Sequence, residues 1–288
     1  MSSLNSQLLD RLLDGENLSE AEAHDLMLRL AEGGVPAALA GALLAGLRAK
    51  GETADEVRGF ATAMRVLALH PKIPPGAPTV DTVGTGGDGS GSLNLSTGTG
   101  LLAAAAGARV VKHGNRSVSS RSGSADMLEC LGMPLPLDEQ QAVACLEATG
   151  FTFLFAPAYH PAMKAVVPVR GALAVRTVFN MLGPLTNPAA PPYQLIGAWS
   201  PDAARLMAET LAGMPLERAF VVHGAPGWDE ASPAGDFVLY DVRPGTVQET
   251  VRTPEDYGLA RCAPADLAGG EAEHNARELQ RVFHGEDR

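Results

Sequence analysis

The sequence predicts an α/β protein: a mostly parallel sheet flanked by helices, with a smaller N-terminal all-helical domain. Three observations predict it. Through residue 70, apolar residues recur at helical spacing and no strand-like run occurs. Pro71, Pro74, Pro75 and Pro78 then crowd a short stretch that reads as a connection. From Thr79 onward, short β-branched runs alternate with helical segments, the pattern of βαβ units whose parallel sheet is covered on both faces.

In the first part, Ser19-x-x-Glu22 and Thr53-x-x-Glu56 are capping boxes, each opening a stretch of helical periodicity. Gly33-Gly34 and Gly51 punctuate between helices. These signals predict a helical domain over residues 1-72 and an α/β domain over 73-288. In the second part, buried strands are predicted at 79–83, 109–112, 151–155, 193–198 and 218–223, with intervening helices near 96–106, 125–131, 138–149 and 201–214. Segments 237–242 and 246–251, joined by Arg243-Pro244-Gly245, read as an antiparallel hairpin. Within 163–188, Pro168 argues against a central strand. Leu173, Val175, Val178, Phe179 and Leu182 follow at helical spacing, so a helical return to the first domain is expected near 170-185.

At 288 residues with 45% hydrophobic and 19% charged residues, the chain can bury a sizeable core. No apolar run approaches the ~18 residues of a membrane helix, and no basic segment followed by an apolar one marks a secretion signal at the N-terminus. Cys130, Cys145 and Cys262 are odd in number and widely spaced. They form no disulfide framework or zinc motif and suit a reducing cytoplasm. A net charge of −11 disfavours partners such as nucleic acid or an anionic membrane. Yet no acid lies between Asp88 and Asp126, where Arg109, Lys112, Arg116 and Arg121 occur, nor between Glu147 and Asp202, where Lys164, Arg170 and Arg176 occur. Burial alone would deplete both signs of charge; the surviving cations suggest pockets for a polyanion.

Gly84-Thr85-Gly86-Gly87-Asp88-Gly89 follows a predicted strand and matches G-x-G-x-x-G. A dinucleotide site also needs an acid ~20 residues on, and none is there. The Gly-Lys-Ser/Thr ending of a P-loop is missing too. What remains is a strand, a loop rich in backbone N–H groups and a Ser/Thr-lined helix start, which suits phosphate; the bland alternative is a Gly-rich surface turn. A second loop, from Lys112 to Asp126, is dense in hydroxyls, cations and glycine, and should converge with the first beyond the carboxyl ends of the strands. His113 is read as structural, not catalytic. Lys112 has two readings. In one it cradles phosphate; replacing it by methionine then weakens binding of the phosphate ligand, less so at high salt, and leaves fold stability little changed. In the other it pairs with an acid such as Asp88 or Asp126 to fix the loop. Asp229-Glu230 places adjacent carboxylates in a third loop at the same sheet end, hard donors that suit Mg²⁺ together with substrate phosphates.

These segments resemble the anthranilate phosphoribosyltransferases. The resemblance runs through Gly84–Asp88, Asn94-Leu95-Ser96-Thr97, residues 112–126, His160-Pro161-Ala162-Met163-Lys164, Val169-Arg170, the stretch Arg176-Thr177-x-Phe179-Asn180-x-Leu182-Gly183-Pro184-Leu185-x-Asn187-Pro188, and Asp229-Glu230. It covers nearly the whole chain in order and implies a homodimer formed by the helical domain, with the active site between the domains. The implied donor, 5-phosphoribosyl 1-pyrophosphate, would lie among Gly84, Gly87, Asp88, Ser92, Asn94, Leu95, Ser96, Thr97, Lys112, His113, Gly114, Asn115, Arg116, Ser117, Val118, Ser119, Ser120 and Ser124. Ser96, Asp229 and Glu230 would hold Mg²⁺. Gly84, Asn115 and Arg170 would contact anthranilate, Arg170 by pairing with its carboxylate. No acid–base set is expected: pyrophosphate leaves through an oxocarbenium-like state, and Lys112, Mg²⁺ and backbone amides stabilise the departing charge. The chain departs from the family where Ala172 and Ala174 flank Leu173 in place of Glu-Leu-Gly, where Pro226-Gly227-Trp228 precedes the paired carboxylates, and in stopping at Arg288 short of the family's further helices. A pyrimidine nucleoside phosphorylase would share the architecture, but Arg170 and the Asn94 and Asn115 motifs argue against it. A non-catalytic nucleic-acid binder on the same scaffold is opposed by the charge.

Overall fold

The computed structural model describes residues 4–117 and 121–286, so the site expectations for Val118, Ser119 and Ser120 lie outside the described residues. Four helices open the chain: α1 (Leu4–Leu13), α2 (Glu20–Ala31), α3 (Ala37–Lys50) and α4 (Ala54–Val66). Both capping boxes form, with Ser19 and Thr53 accepting from the Glu22 and Glu56 N–H groups. Glu56 does more than cap. It is fully buried, accepts from the Leu18 N–H at 2.8 Å, and pairs with Lys50 at 3.0 Å. A buried carboxylate is tolerated because both oxygens meet donors, Leu18 N–H on one and Lys50 Nζ and the Thr53 N–H on the other. Leu26, Leu43, Leu44, Leu47 and Phe60 close the core of the bundle.

The rest is built on one seven-stranded sheet in the order β3-β2-β1-β4-β5-β6-β7. Strands β1 (Thr79–Gly84), β2 (Arg109–Gly114), β3 (Phe151–Phe155), β4 (Tyr193–Gly197) and β5 (Arg218–Gly224) are parallel. β6 (Phe237–Arg243) and β7 (Thr246–Arg252) add the antiparallel hairpin. The crossovers include α5 (Leu95–Ala105), α6 (Ser124–Cys130), α7 (Glu139–Thr149), the short α8 (Ala156–Tyr159) and, later, α11 (Pro201–Ala212). The order reverses direction at β1: β2 and β3 lie to one side, β4 and β5 to the other. Ligands bind beyond the carboxyl ends of the strands at such a switch point. The C-terminal α12 (Ala272–Phe283) packs Ala276 and Leu279 against Met127 of α6.

The segment between β3 and β4 returns to the helical bundle as two short helices, α9 (Val167–Leu173) and α10 (Phe179–Leu185). Pro168 sits in the first turn of α9, where its missing N–H costs nothing. Val166, Val169, Val178 and Phe179 join the same core as the bundle leucines. The helical periodicity of this segment is not continuous, because Ala174 takes a left-handed conformation (φ 51°) that stops α9. An L-residue there costs roughly 1–2 kcal/mol, of which glycine's greater chain entropy takes back about 0.4–1. Ala174 is exposed, so its methyl has little packing to lose. Ala174→Gly is therefore expected to raise the melting temperature by a few degrees at most; a lower one would show that the methyl is held by a contact.

Candidate active site

Three loops meet at the carboxyl end of the sheet. The first leaves β1 and carries positive φ at Gly86, Gly87, Gly89 and Gly91. This conformation is costly for other residues. The Gly87, Asp88 and Gly89 N–H groups find no protein acceptor among the described residues. A run of unpaired backbone amides can receive an anion. The loop ends at Asn94, but its side chain does not cap α5. Asn94 instead donates to the Ser122 carbonyl at 3.2 Å and accepts from Ser122 Oγ at 3.0 Å and Asn275 Nδ2 at 2.9 Å, tying both phosphate-type loops to α12.

The third loop lies across the strand ends. Gly84, Gly197 and Gly224 close β1, β4 and β5, and a Cβ on any of them would collide with Asp229 or Glu230. Glycine there admits the carboxylate loop to the sheet. Asp229 Oδ2 accepts from the Gly86 N–H at 2.6 Å, and the Asp229 N–H donates to Asp88 Oδ2 at 3.1 Å. Asp88 is fixed by the Ser90 N–H and hydroxyl at 3.0 and 2.9 Å. Burial, then the charge of Asp88, raises the Asp229 carboxyl to about 7; burial, then the charge of Asp229, raises Glu230 to about 8. Like charges held together this way attract a cation.

Lys112 supplies one from beneath. It is 1% exposed, and its Nζ donates to the Thr82 carbonyl and to Ser96 Oγ, the latter at 3.3 Å. One of its three N–H groups is left for a ligand. Lys112 forms no ion pair with Asp88 or Asp126, contrary to the second reading of the sequence. Asp126 caps α6, accepting from Ser117 and Gly123 at 3.0 and 2.9 Å, and pairs with Arg116. Burial lowers the Lys112 pKa against the opposing pull of Asp81, Glu230 and Asp229.

The described residues thus bring together Gly84, Gly87, Asp88, Ser92, Ser96, Lys112, Asp229 and Glu230. Leu95 and Thr97 belong to the first turn of α5, and Thr97 is buried. Gly114 ends β2 and Ser124 begins α6, its hydroxyl on the Asn115 carbonyl at 3.2 Å. Arg116 turns to Glu129 and Asp126, so its charge is already paired. His113 faces the opposite side of the sheet, its Nδ1 3.1 Å from the Gly183 carbonyl and its ring 5.1 Å from that of His160. Burial, then the neighbouring His160, lowers His113 to about 3, so it is neutral at pH 7. Arg170, on α9, lies over Phe179 at 5.3 Å and meets no carboxylate among the described residues; burial lowers its pKa. A guanidinium half removed from water without a partner is a ready receptor for a ligand carboxylate.

Arg176 was not singled out by the sequence reading as a site residue, though it stands in an acid-free stretch. It stacks on Trp199 at 4.9 Å, donates to the Gly87 carbonyl, and accepts on its own carbonyl from Arg48 of α3 at 2.6 Å. It therefore links the bundle to the Gly-rich loop. Asp81, inside β1, and Asn187, in the turn between α10 and β4, were not expected as site residues either.

Residues 76–288 match the family model described as Glycosyl transferase family, a/b domain, and residues 6–68 the one described as Glycosyl transferase family, helical bundle domain. The chain is 47% identical to the anthranilate phosphoribosyltransferase of Rubrobacter xylanophilus, over 98% of this chain and 82% of that protein. Among solved structures it resembles the anthranilate phosphoribosyltransferase of Thermus thermophilus, with TM-score 0.90, 43% identity, and coverage of 98% of this chain and 83% of that one. It also resembles the Saccharomyces cerevisiae enzyme in complex with PRPP and Mg, with TM-score 0.88, 26% identity, and coverage of 98% and 81%.

Proposed function

The chain belongs to the anthranilate phosphoribosyltransferase family, and from that premise we propose that the crevice beyond β1, β2 and β5 holds donor and metal, with the acceptor beside α9. The protein transfers the phosphoribosyl group of 5-phosphoribosyl 1-pyrophosphate to anthranilate, giving N-(5-phosphoribosyl)anthranilate and pyrophosphate in tryptophan biosynthesis. The observation that carries the site reading is the joint placement of free loop amides, a buried Lys112 and three acids, Asp88, Asp229 and Glu230, at one sheet end.

The donor set fits Mg²⁺. Among the described residues no three His, Cys, Asp or Glu side chains form a closed cage. Mg²⁺ typically takes one or two carboxylates and fills its octahedron with water and substrate phosphate. Asp229 and Glu230, with Ser96 Oγ nearby, would hold it, and a cation there would offset the burial and like-charge crowding that raise both carboxyls. When bound, the metal would neutralise the pyrophosphate oxygens.

The chain's own residues supply the remainder. The Gly87–Gly89 amides and the free Lys112 N–H receive the charge that develops as the C1–oxygen bond breaks, which is worth most where water is excluded. The amine of anthranilate attacks C1 and then loses its proton, and Arg170 orients it by its carboxylate. Arg170→Ala is expected to raise the KM for anthranilate about 10- to 150-fold, the equivalent of roughly 1.5–3 kcal/mol for a charge-assisted pair, and to leave the donor KM nearly unchanged. Equal changes in both would make Arg170 structural. The donor contacts of Asn94 and Arg116 would require these side chains to leave their present partners. The homodimer through the helical domain and a cytoplasmic location for a chain with three free cysteines complete the reading. Its test is pyrophosphate release with both substrates and Mg²⁺: release driven by phosphate and a nucleoside instead would replace it with a phosphorylase.

A further inference from the structure

β1 and β2 run side by side to Gly84 and Gly114, but their ladder pairs only Thr79 with Arg109 and Val80 with Val110. On the outer edges, β1 pairs with β4 through Gly84, and β2 pairs with β3 through Gly114. The sheet is therefore forked above Val80 and Val110. A fork leaves facing backbone groups without partners, and buried groups of that kind must be satisfied.

Side chains satisfy three of them. Asp81 Oδ1 accepts from the His113 N–H at 3.3 Å. Asn187 Nδ2 donates to the Val111 carbonyl at 2.7 Å and to Asp81 Oδ2 at 2.8 Å. Lys112 Nζ takes the Thr82 carbonyl. Asn187 is itself oriented by the Ala189 N–H, which donates to its Oδ1 at 2.9 Å. Asp81 and Asn187 are fully buried. Their planar groups, bonded edge to edge, stand where ladder hydrogen bonds would otherwise draw the strands together.

We propose that Asp81 and Asn187 are positioning residues for phosphoribosyl transfer: the pair wedges the β1–β2 fork open and so sets how Lys112 and the Gly-rich loop meet the pyrophosphate. This rests on the donor site proposed above. Neither residue reaches the reacting atoms; they act through the strands that carry those which do. Closing the fork would shift Lys112 relative to the loop amides, and a misplacement near 1 Å can cost about 100-fold in rate.

The test is Asn187→Ser, which keeps one short donor and cannot bridge both acceptors, assayed well below its melting temperature. The donor KM is expected to rise about 10-fold or more and kcat to fall, while the anthranilate KM stays within about twofold, because the acceptor site is built on α9. A protein that only melts earlier, with parental donor KM and kcat, overturns the proposal, as does an equal rise in both KM values. If Asn187→Ser does not fold, Asp81→Asn decides. Its Oδ1 can still accept from the His113 N–H, but its Nδ2 meets a second donor in Asn187, so the edge-to-edge bond is lost while the Val111 carbonyl keeps its partner. A raised donor KM and lowered kcat beside an unchanged anthranilate KM support the wedge, and parental donor KM and kcat overturn it. An inactive parent would instead sink the assigned reaction, and calorimetric binding of the donor to parent and variants would still test the wedge.

Discussion

The double variant Asp229→Asn/Glu230→Gln is expected to melt higher than the parent in Mg²⁺-free buffer, yet to release pyrophosphate at least about 100-fold more slowly. The two effects share one cause. In the parent, Asp229 stands at about 7 and Glu230 at about 8, against ordinary values of 3.8 and 4.5. A folded state whose carboxyls hold protons that the unfolded chain has released loses stability as pH rises through the folded values. The penalty is absent below about pH 4, grows as the pH rises toward the folded values, and is complete by about 8.5. His113 and His160, lowered to about 3 and 4, work in the opposite sense and have finished doing so by about pH 6.5. The melting advantage of the variant should therefore widen from pH 6.5 to 8.5 and shrink when Mg²⁺ is added, since only the parent gains from the ion. Strained functional charge of this kind is where stability and activity trade against each other. A variant that melts lower throughout, or that keeps parental turnover across a Mg²⁺ titration, would remove these two carboxylates from the metal site.

Much of this architecture is legible in the sequence. The change from helical to alternating periodicity at Thr79 locates the first strand, because a parallel sheet buried on both faces leaves short β-branched runs. The two capping boxes form at the residues the spacing gave. The Gly-rich loop and the Asp229-Glu230 pair converge because both leave parallel strands on the same side of the sheet. Other features had no local signal. Ala174 breaks one helical stretch into α9 and α10 by a left-handed residue that helix periodicity cannot register. Asn94 carried an implied ligand role, yet its amide is occupied by Ser122 and Asn275, the second of them 181 positions away along the chain. Arg116 counted as a free cation in an acid-free stretch, but folding delivers Asp126 and Glu129 from the next helix. Asp81 read as an ordinary member of a strand, and only the fork between β1 and β2 gives its carboxylate something to hold.

Lys112→Met is expected to lower turnover with saturating anthranilate by about 100- to 1,000-fold, the range for removing one preorganised donor from a site of developing negative charge. The sequence alone also suggested that fold stability would change little and that high salt would mask the loss. Burial alters both expectations. Nζ is buried and holds the Thr82 carbonyl at the β1–β2 fork, so methionine leaves a buried acceptor unpaired, at about 1–3 kcal/mol. It also removes the positive charge facing Asp81, Glu230 and Asp229, which should drive those carboxyls still further up. The variant should melt earlier than the parent, and the gap should widen toward alkaline pH, where those acids must ionise without a counter-charge. Salt screens exposed charges over about 8–10 Å of solvent but reaches buried ones poorly, so the deficit in donor affinity should persist at high ionic strength. Calorimetric titration with the donor, run beside the melts, separates the roles. A folded Lys112→Met protein that binds the donor at parental affinity would leave Lys112 as a strand fastener and pass the whole phosphate cradle to the loop amides and the metal.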